Sequence, residues 1–113
     1  YHTSLDNEDF ISFNAMEESV EILYQMVLGI ELNQTYLNLV PYGEPQLGKR
    51  GLYPTANMPN ENHREVVHEL MHFLNWADGE HDLLDIADKK KVSLFKMAMH
   101  ANKCEEQQLV KIV

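Results

Sequence analysis

Apolar residues recur at intervals of three and four positions through the first third of the chain, which is the period of an amphipathic helix. The pattern predicts a helix over about 15–33. Its repeating apolar positions are Met16, Val20, Leu23, Val27 and Ile30. Asn14 is placed to cap this helix, and Glu17 and Glu18 fall in the first turn, where the helix dipole favours anions.

Three further helical patterns follow one another closely in the second half of the chain. They cover about 61–75, 82–89 and 93–106, with Ser93 as the cap of the last one. Residues 109–113 are rich in β-branched side chains and predict a strand. Helix, short helix, turn, helix and strand is the order of a winged helix-turn-helix, here without a full second wing strand. The chain is therefore predicted to be mostly α-helical.

The two halves are joined by a segment, residues 41–59, that contains all four prolines and three of the five glycines. Proline lacks a backbone donor and glycine loosens φ, so this segment is neither a regular helix nor a central strand. The predicted organisation is a domain end over 1–40, a crossover over 41–59 and a winged-helix module over 60–113. Within the crossover, Lys49 and Arg50 could hold a carboxylate or phosphate, or form salt bridges to the acidic body of the protein.

Composition narrows the classes of partner. The 113 residues are enough for one domain with an appendage, and nine basic against eighteen acidic residues give a net charge of −9. This balance disfavours nucleic acid and anionic membranes as partners. No apolar run reaches the roughly 18 residues of a membrane span. The lone Cys104 excludes an internal disulfide and is typical of a packing thiol in a reducing compartment, so we expect a cytoplasmic protein.

The second predicted helix contains the motif H-E-x-x-H, formed by His68, Glu69 and His72. In zinc proteases two histidines of this spacing bind the metal and the glutamate acts as the base. Here Asn75 replaces the glycine of the longer motif, and a third ligand would have to come from 80–82. Apolar residues already account for the buried face of this helix: Val67, Leu70, Met71 and Leu74. We therefore interpret the motif as structural, with a self-contained zinc protease as the alternative.

The last predicted helix is the one that would read DNA in a winged helix. It carries Lys96 and Lys103 against Glu105 and Glu106, for no net charge, and it has no arginine, the commonest specific contact to guanine. We therefore expect this module to serve packing or interaction. A DNA-binding regulator remains a second alternative.

The opening of the chain, Tyr-His-Thr-x-x-Asp-Asn-x-Asp-x-Ile over 1–11, resembles the final metal-ligand segment of the co-catalytic di-zinc aminopeptidases. Two longer strings, 44–54 and 76–87, resemble a group of bacterial aminopeptidase-like proteins that are found beside polysaccharide-biosynthesis genes and end in a winged helix. The likeness runs along essentially the whole chain. Residue His2 matches the last zinc ligand of the family.

This resemblance implies that the chain is the C-terminal segment of a larger, zinc-dependent aminopeptidase-like hydrolase. The parent protein would bind two zinc ions, with its other ligands and its general base upstream of Tyr1. The remainder of the parent is then the main partner. The segment alone is expected to be inactive and to bind no zinc tightly. Separated from that partner, the apolar face of the first helix is expected to self-associate or to pack on the winged module.

Overall fold

The computed structural model describes residues 3–4, 7–53 and 63–113. The chain divides into two compact units, Tyr1–Glu31 and Leu32–Val113.

The first unit consists mainly of helix α1, Phe13–Leu32. The helix begins at Phe13 because the Ser12 hydroxyl accepts a hydrogen bond from the backbone N–H of Ala15 at 3.2 Å. The predicted helix is confirmed, but the predicted cap was wrong, since Asn14 lies inside the first turn. None of the α1 residues is buried. The apolar residues that predicted the helix are all exposed: Met16, Val20, Leu23, Val27 and Ile30.

The second unit contains the remaining elements. In chain order they are strand β1 (Thr35–Asn38), a short 3-10 helix (Leu47–Arg50), helix α2 (His63–Trp76), strand β2 (Asp78–Asp82), helix α3 (Leu83–Lys90), helix α4 (Leu94–Glu106) and strand β3 (Val110–Ile112). The three predicted helices and the C-terminal strand are thus confirmed with small shifts at their ends. Ser93 caps α4 as predicted, because its hydroxyl accepts from the N–H of Lys96 at 3.2 Å.

Strands β1 and β2 were not predicted. The sheet has the order β2-β1-β3 and both pairings are antiparallel. Between β1 and β2, Leu37 lies opposite Asp78. Between β1 and β3, Tyr36 lies opposite Ile112. Strand β1 is too short to show an alternating pattern, and β2 has the sequence Asp-Gly-Glu-His-Asp, which is poor in strand-forming residues. Both are strands because they pair with distant parts of the chain.

The position of β1 moves the boundary of the module. The predicted division placed residues up to 40 in the preceding domain and began the module at 60, whereas the compact unit begins at Leu32. Asn33 links the start of this unit to the beginning of α3. Its side-chain amide donates to Asp82 at 2.9 Å, and its side-chain oxygen Oδ1 accepts from the N–H of Leu84 at 2.8 Å. The central strand of the sheet therefore belongs to the same unit as the three helices.

The core lies between the helices and the inner face of the sheet. Phe73 of α2 is fully buried and meets the ring of Tyr36 edge-on, with the ring centroids 5.4 Å apart. The other apolar residues with no exposed surface are Leu47, Leu70, Leu83, Ile86, Met97, Ala101, Cys104 and Leu109. Leu47 brings the 3-10 helix into this core, so part of the predicted crossover is folded with the module.

A bilayer-crossing helix would have to be long and almost entirely apolar, and none of the helices in the described parts of the chain meets that requirement.

Candidate functional site

The three residues of the H-E-x-x-H motif on α2 have different surroundings. His68 is exposed. The Nε2 atom of His72 donates to the carbonyl oxygen of Ile86 on α3, at 3.2 Å. Glu69 has no exposed surface and faces α4. Across residues 3–4, 7–53 and 63–113 no group of three or more His, Cys, Asp or Glu side chains is arranged to hold a metal ion.

Glu69 is instead the centre of a buried ionic cluster between α2 and α4. Its Oε1 atom lies 2.6 Å from Nζ of Lys96, and its Oε2 atom lies 2.9 Å from Nε2 of His100. Burial by itself would raise the pKa of Glu69. The hydrogen bonds and charges of Lys96 and His100 outweigh burial and hold that pKa below its ordinary value. Glu69 is thus an ionised structural link and not a free general base.

The histidine of this cluster is 3% exposed. Since an ionised carboxylate only accepts hydrogen bonds, Nε2 of His100 donates to Glu69. The second ring nitrogen, Nδ1, is buried and has no hydrogen-bond partner among the described residues. The ring is therefore held from one side only.

The positions from which a third zinc ligand would have to come are engaged in local contacts. Nδ1 of His81 lies 2.8 Å from Oδ2 of Asp78, and the His81 ring meets Trp76 edge-on at 4.8 Å. The backbone N–H groups of His81 and Glu80 both donate to Asp78, and they lower the pKa of Asp78 to about 2. Asp82 caps α3 by accepting from the N–H of Asp85 at 2.9 Å.

Lys49 and Arg50 lie beside a groove of about 530 Å³ between the 3-10 helix and the end of α4. The Arg50 guanidinium donates to the carbonyl oxygens of Pro45 and Gln107, each at 3.0 Å. Neither Lys49 nor Arg50 forms an ion pair within the described residues. The salt bridge considered from the sequence is therefore not the contact that Arg50 makes.

Two further candidate residues are Cys104 and His2. Cys104 is fully buried, and this burial raises the pKa of its thiol to about 12, so it is a packing residue as expected. His2, the residue that matches a zinc ligand of the aminopeptidases, lies outside the described residues.

Comparison with known proteins places the second unit in a family. A family model for the winged helix-turn-helix matches residues 34–112. This chain belongs to the winged helix-turn-helix family. The match begins just before β1, in agreement with the start of the compact unit and not with the predicted start at 60.

Longer relatives contain this winged helix as one part. A protein of Clostridium acetobutylicum that is named for polysaccharide biosynthesis and for an aminopeptidase-like domain is 36% identical over 113 residues, which are 100% of this chain and 26% of the relative. The crystal structure of a protein from the same organism, named there as a peptidase, superposes with a TM-score of 0.80 at 34% identity, covering 100% of this chain and 24% of the other. The chain spans about a quarter of the length of both.

Helix α4, which corresponds to the helix that reads DNA in many members of the fold, carries two exposed apolar residues. Phe95 and Met99 lie one helical turn apart and are both exposed. Lys96, one of the two lysines of this helix, is ion-paired with the buried Glu69. An apolar stripe therefore occupies a surface on which a DNA-reading helix carries basic residues.

Sequence reasoning missed the partners of Glu69 and of Arg50. Lys96 and His100 are four residues apart, so the sequence did place them on one face of α4, and this spacing was the available signal. Their meeting with Glu69 depends on how α2 and α4 pack, which no local pattern specifies. The contact of Arg50 with Gln107 is a bond to a backbone carbonyl, which leaves no trace in the sequence.

Proposed function

We propose that this chain is the C-terminal part of a zinc-dependent aminopeptidase-like hydrolase, and that its winged helix serves packing or protein interaction. The observation that carries the first half is the match along 100% of the chain to about a quarter of a relative named for an aminopeptidase-like domain. In this proposal the residues before Leu32, with His2 and α1, belong to the hydrolase part, and Leu32–Val113 is the added module.

His2 is the residue of this chain that we propose as a zinc ligand. In this proposal the other ligands and the general base lie upstream of Tyr1, in the part of the hydrolase that the resemblance implies. A pair of zinc ions supplies a bound hydroxide and polarises the peptide carbonyl in such hydrolases. The 113 residues by themselves are then inactive, and the protein is proposed to work in the cytoplasm, where Cys104 remains a thiol.

The first test is the coding sequence upstream of Tyr1. We expect it to continue in frame and to encode further His, Asp and Glu ligands. The longer product should hold a pair of zinc ions and hydrolyse N-terminal residues from peptides, and His2→Ala should lower both zinc content and activity. A start or stop codon directly before Tyr1 would contradict the proposal. So would stoichiometric zinc on the 113-residue chain that is lost in His72→Ala, which is the result expected of the self-contained protease.

The exposed pair Phe95 and Met99 supports the second half of the proposal. A solvent-facing apolar stripe on a helix is typical of a surface that contacts another protein part. The ion pair of Lys96 with Glu69 leaves Lys103 to balance Glu105 and Glu106, so the helix offers little to a phosphate backbone.

DNA reading is the second candidate, because the winged helix-turn-helix fold is widely used for it. A gel-shift assay at physiological salt distinguishes the two. We expect no binding tighter than the non-specific range of about 10⁻⁴ to 10⁻⁶ M. Tight binding that is lost in Lys103→Gln would establish the DNA-binding alternative. In the longer product, Phe95→Ser with Met99→Ser should weaken the association of the module with its partner and leave DNA affinity unchanged.

A further inference from the structure

The groove beside Lys49 and Arg50 has no role in the function proposed above. Its walls come from the segment after β1 and from the end of α4. The lining residues that matter here are Tyr42, Glu44, Gln46, Lys49, Arg50 and Gln107. Because all of them belong to the second unit, the groove can be understood from that unit alone.

The loop that forms the groove is firmly fixed. Leu47 is fully buried in the core, and its backbone N–H donates to Oε1 of Glu44 at 2.6 Å. The N–H of Leu52 closes the short helix on the carbonyl oxygen of Leu47 at 3.0 Å. Gln46 has a left-handed backbone with φ of 56°, a strained conformation for a residue other than glycine. Strain of this kind persists where the surrounding structure holds it, and it is common at binding sites.

The cations of the groove are positioned but not neutralised. Arg50 uses two of its five N–H donors on carbonyl oxygens, which carry no net charge, and this orients the guanidinium. Lys49 is exposed. The chain has eighteen acidic residues, yet in the described residues no carboxylate pairs with either cation. Glu44 is the acidic residue that lines the groove, and its Oε1 is engaged by Leu47.

The size and the remaining walls indicate a small ligand. A volume of about 530 Å³ lies within the range of about 300–1,000 Å³ that small-molecule sites occupy. Tyr42 is 98% exposed and offers a flat aromatic face, while Gln107 offers a side-chain amide. A planar guanidinium suits a carboxylate or a phosphate, and a nearby aromatic face suits a ring.

The geometry points to a binding site for a small organic anion, in which Lys49 and Arg50 hold a carboxylate or phosphate and Tyr42 packs against the ring that carries it. This site is independent of zinc and of any peptidase activity.

The test is a titration of the isotope-labelled chain followed by NMR. The probes are D-glucuronate, inorganic phosphate and the neutral D-glucose. We expect glucuronate to shift the amide signals of Lys49, Arg50 and Gln107 and the ring signals of Tyr42 in a saturable way. Lys49→Gln should weaken this binding about tenfold, since a charge-assisted hydrogen bond is lost. Lys111→Gln removes the same charge from β3, outside the groove, and should leave the binding unchanged.

Each outcome either identifies the class of anion that the groove binds or contradicts the proposed site. Shifts by glucuronate that exceed those by phosphate assign a ring-bearing carboxylate, and the reverse assigns a phosphate. Equal shifts by glucose and glucuronate would overturn the inference, because the charge would then contribute nothing. So would equal weakening by Lys49→Gln and Lys111→Gln, which would indicate general screening, or an absence of saturable shifts at the groove with both anions.

Discussion

The Oε2 atom of Glu69 on α2 lies 2.9 Å from Nε2 of His100 on α4, and both side chains are buried. This pair, with Lys96, adds polar contacts to the apolar packing between α2 and α4. The same glutamate is the second residue of the H-E-x-x-H motif. The motif therefore has a structural explanation, which the sequence pattern alone does not show.

Replacing Glu69 by Gln should destabilise the chain by about 1–2 kcal/mol, because the charge-assisted hydrogen bonds from Lys96 and His100 to the carboxylate are lost. Urea unfolding measures the change. Lys96→Met is the matched comparison. It leaves the fully buried Glu69 carboxylate without its cation, so the loss there should be larger, about 3 kcal/mol. A Glu69→Gln variant as stable as the wild type would show that the pair contributes nothing to stability.

Stability should decrease in acid. The pKa of Glu69 is lower in the folded state than its ordinary value of 4.5, so the folded state favours the ionised form. That contribution is complete above the unfolded pKa and is lost as the pH falls through the folded pKa. Asp78, with a pKa of about 2, acts in the same direction. Unfolding free energies measured from about pH 6 down to about pH 3 should therefore decline.

The acid dependence should be smaller in Glu69→Gln than in the wild type, and smaller again when Asp78→Asn is added. A steeper dependence in either variant would contradict the assignment of these two carboxylates as the groups responsible.

Arg50→Lys should destabilise the loop around the 3-10 helix almost as much as Arg50→Ala, by about 1–2 kcal/mol. A lysine carries the charge, but it lacks the planar fork that reaches Pro45 and Gln107 together. Hydrogen exchange of the Leu47 and Leu52 amides provides the local measurement, and both should exchange faster. Lys49→Ala is the control and should leave these amides protected. Full rescue by Arg50→Lys would show that charge alone holds the loop.

Cys104 should react with thiol reagents only when the chain opens. Its thiol is fully buried and its pKa is raised to about 12, so very little thiolate exists at neutral pH. The labelling rate should rise in proportion to the unfolded fraction, and Glu69→Gln should accelerate it. Rapid labelling of the wild type at neutral pH would contradict the observed burial.

The helices of this chain could be predicted because their apolar residues repeat at short range. Strands β1 and β2 could not, since each acquires its structure from pairing with residues far away in the sequence. The predicted boundaries moved for the same reason, as β1 was assigned to the wrong side of the division. Local residues show the period of a helix, but they do not show which edges of a sheet will meet.

The candidate functional residues were likewise only partly predictable from the sequence. The sequence indicated that H-E-x-x-H was structural from the apolar residues around it, but it placed no residue opposite Glu69. It singled out Lys49 and Arg50 from composition alone, and it did not indicate the groove beside them. Both gaps concern contacts between elements, which depend on packing angles and on backbone carbonyls.

The sheet of the winged helix has its earliest strand in the middle, with Tyr36 opposite Ile112 and Leu37 opposite Asp78. During synthesis, β1 leaves the ribosome well before its second neighbour exists, and one of its edges stays open until β3 is made. Completion of this unit therefore waits for the final strand. Shortening the chain to a residue before Val110 removes β3, a neighbour that β1 needs.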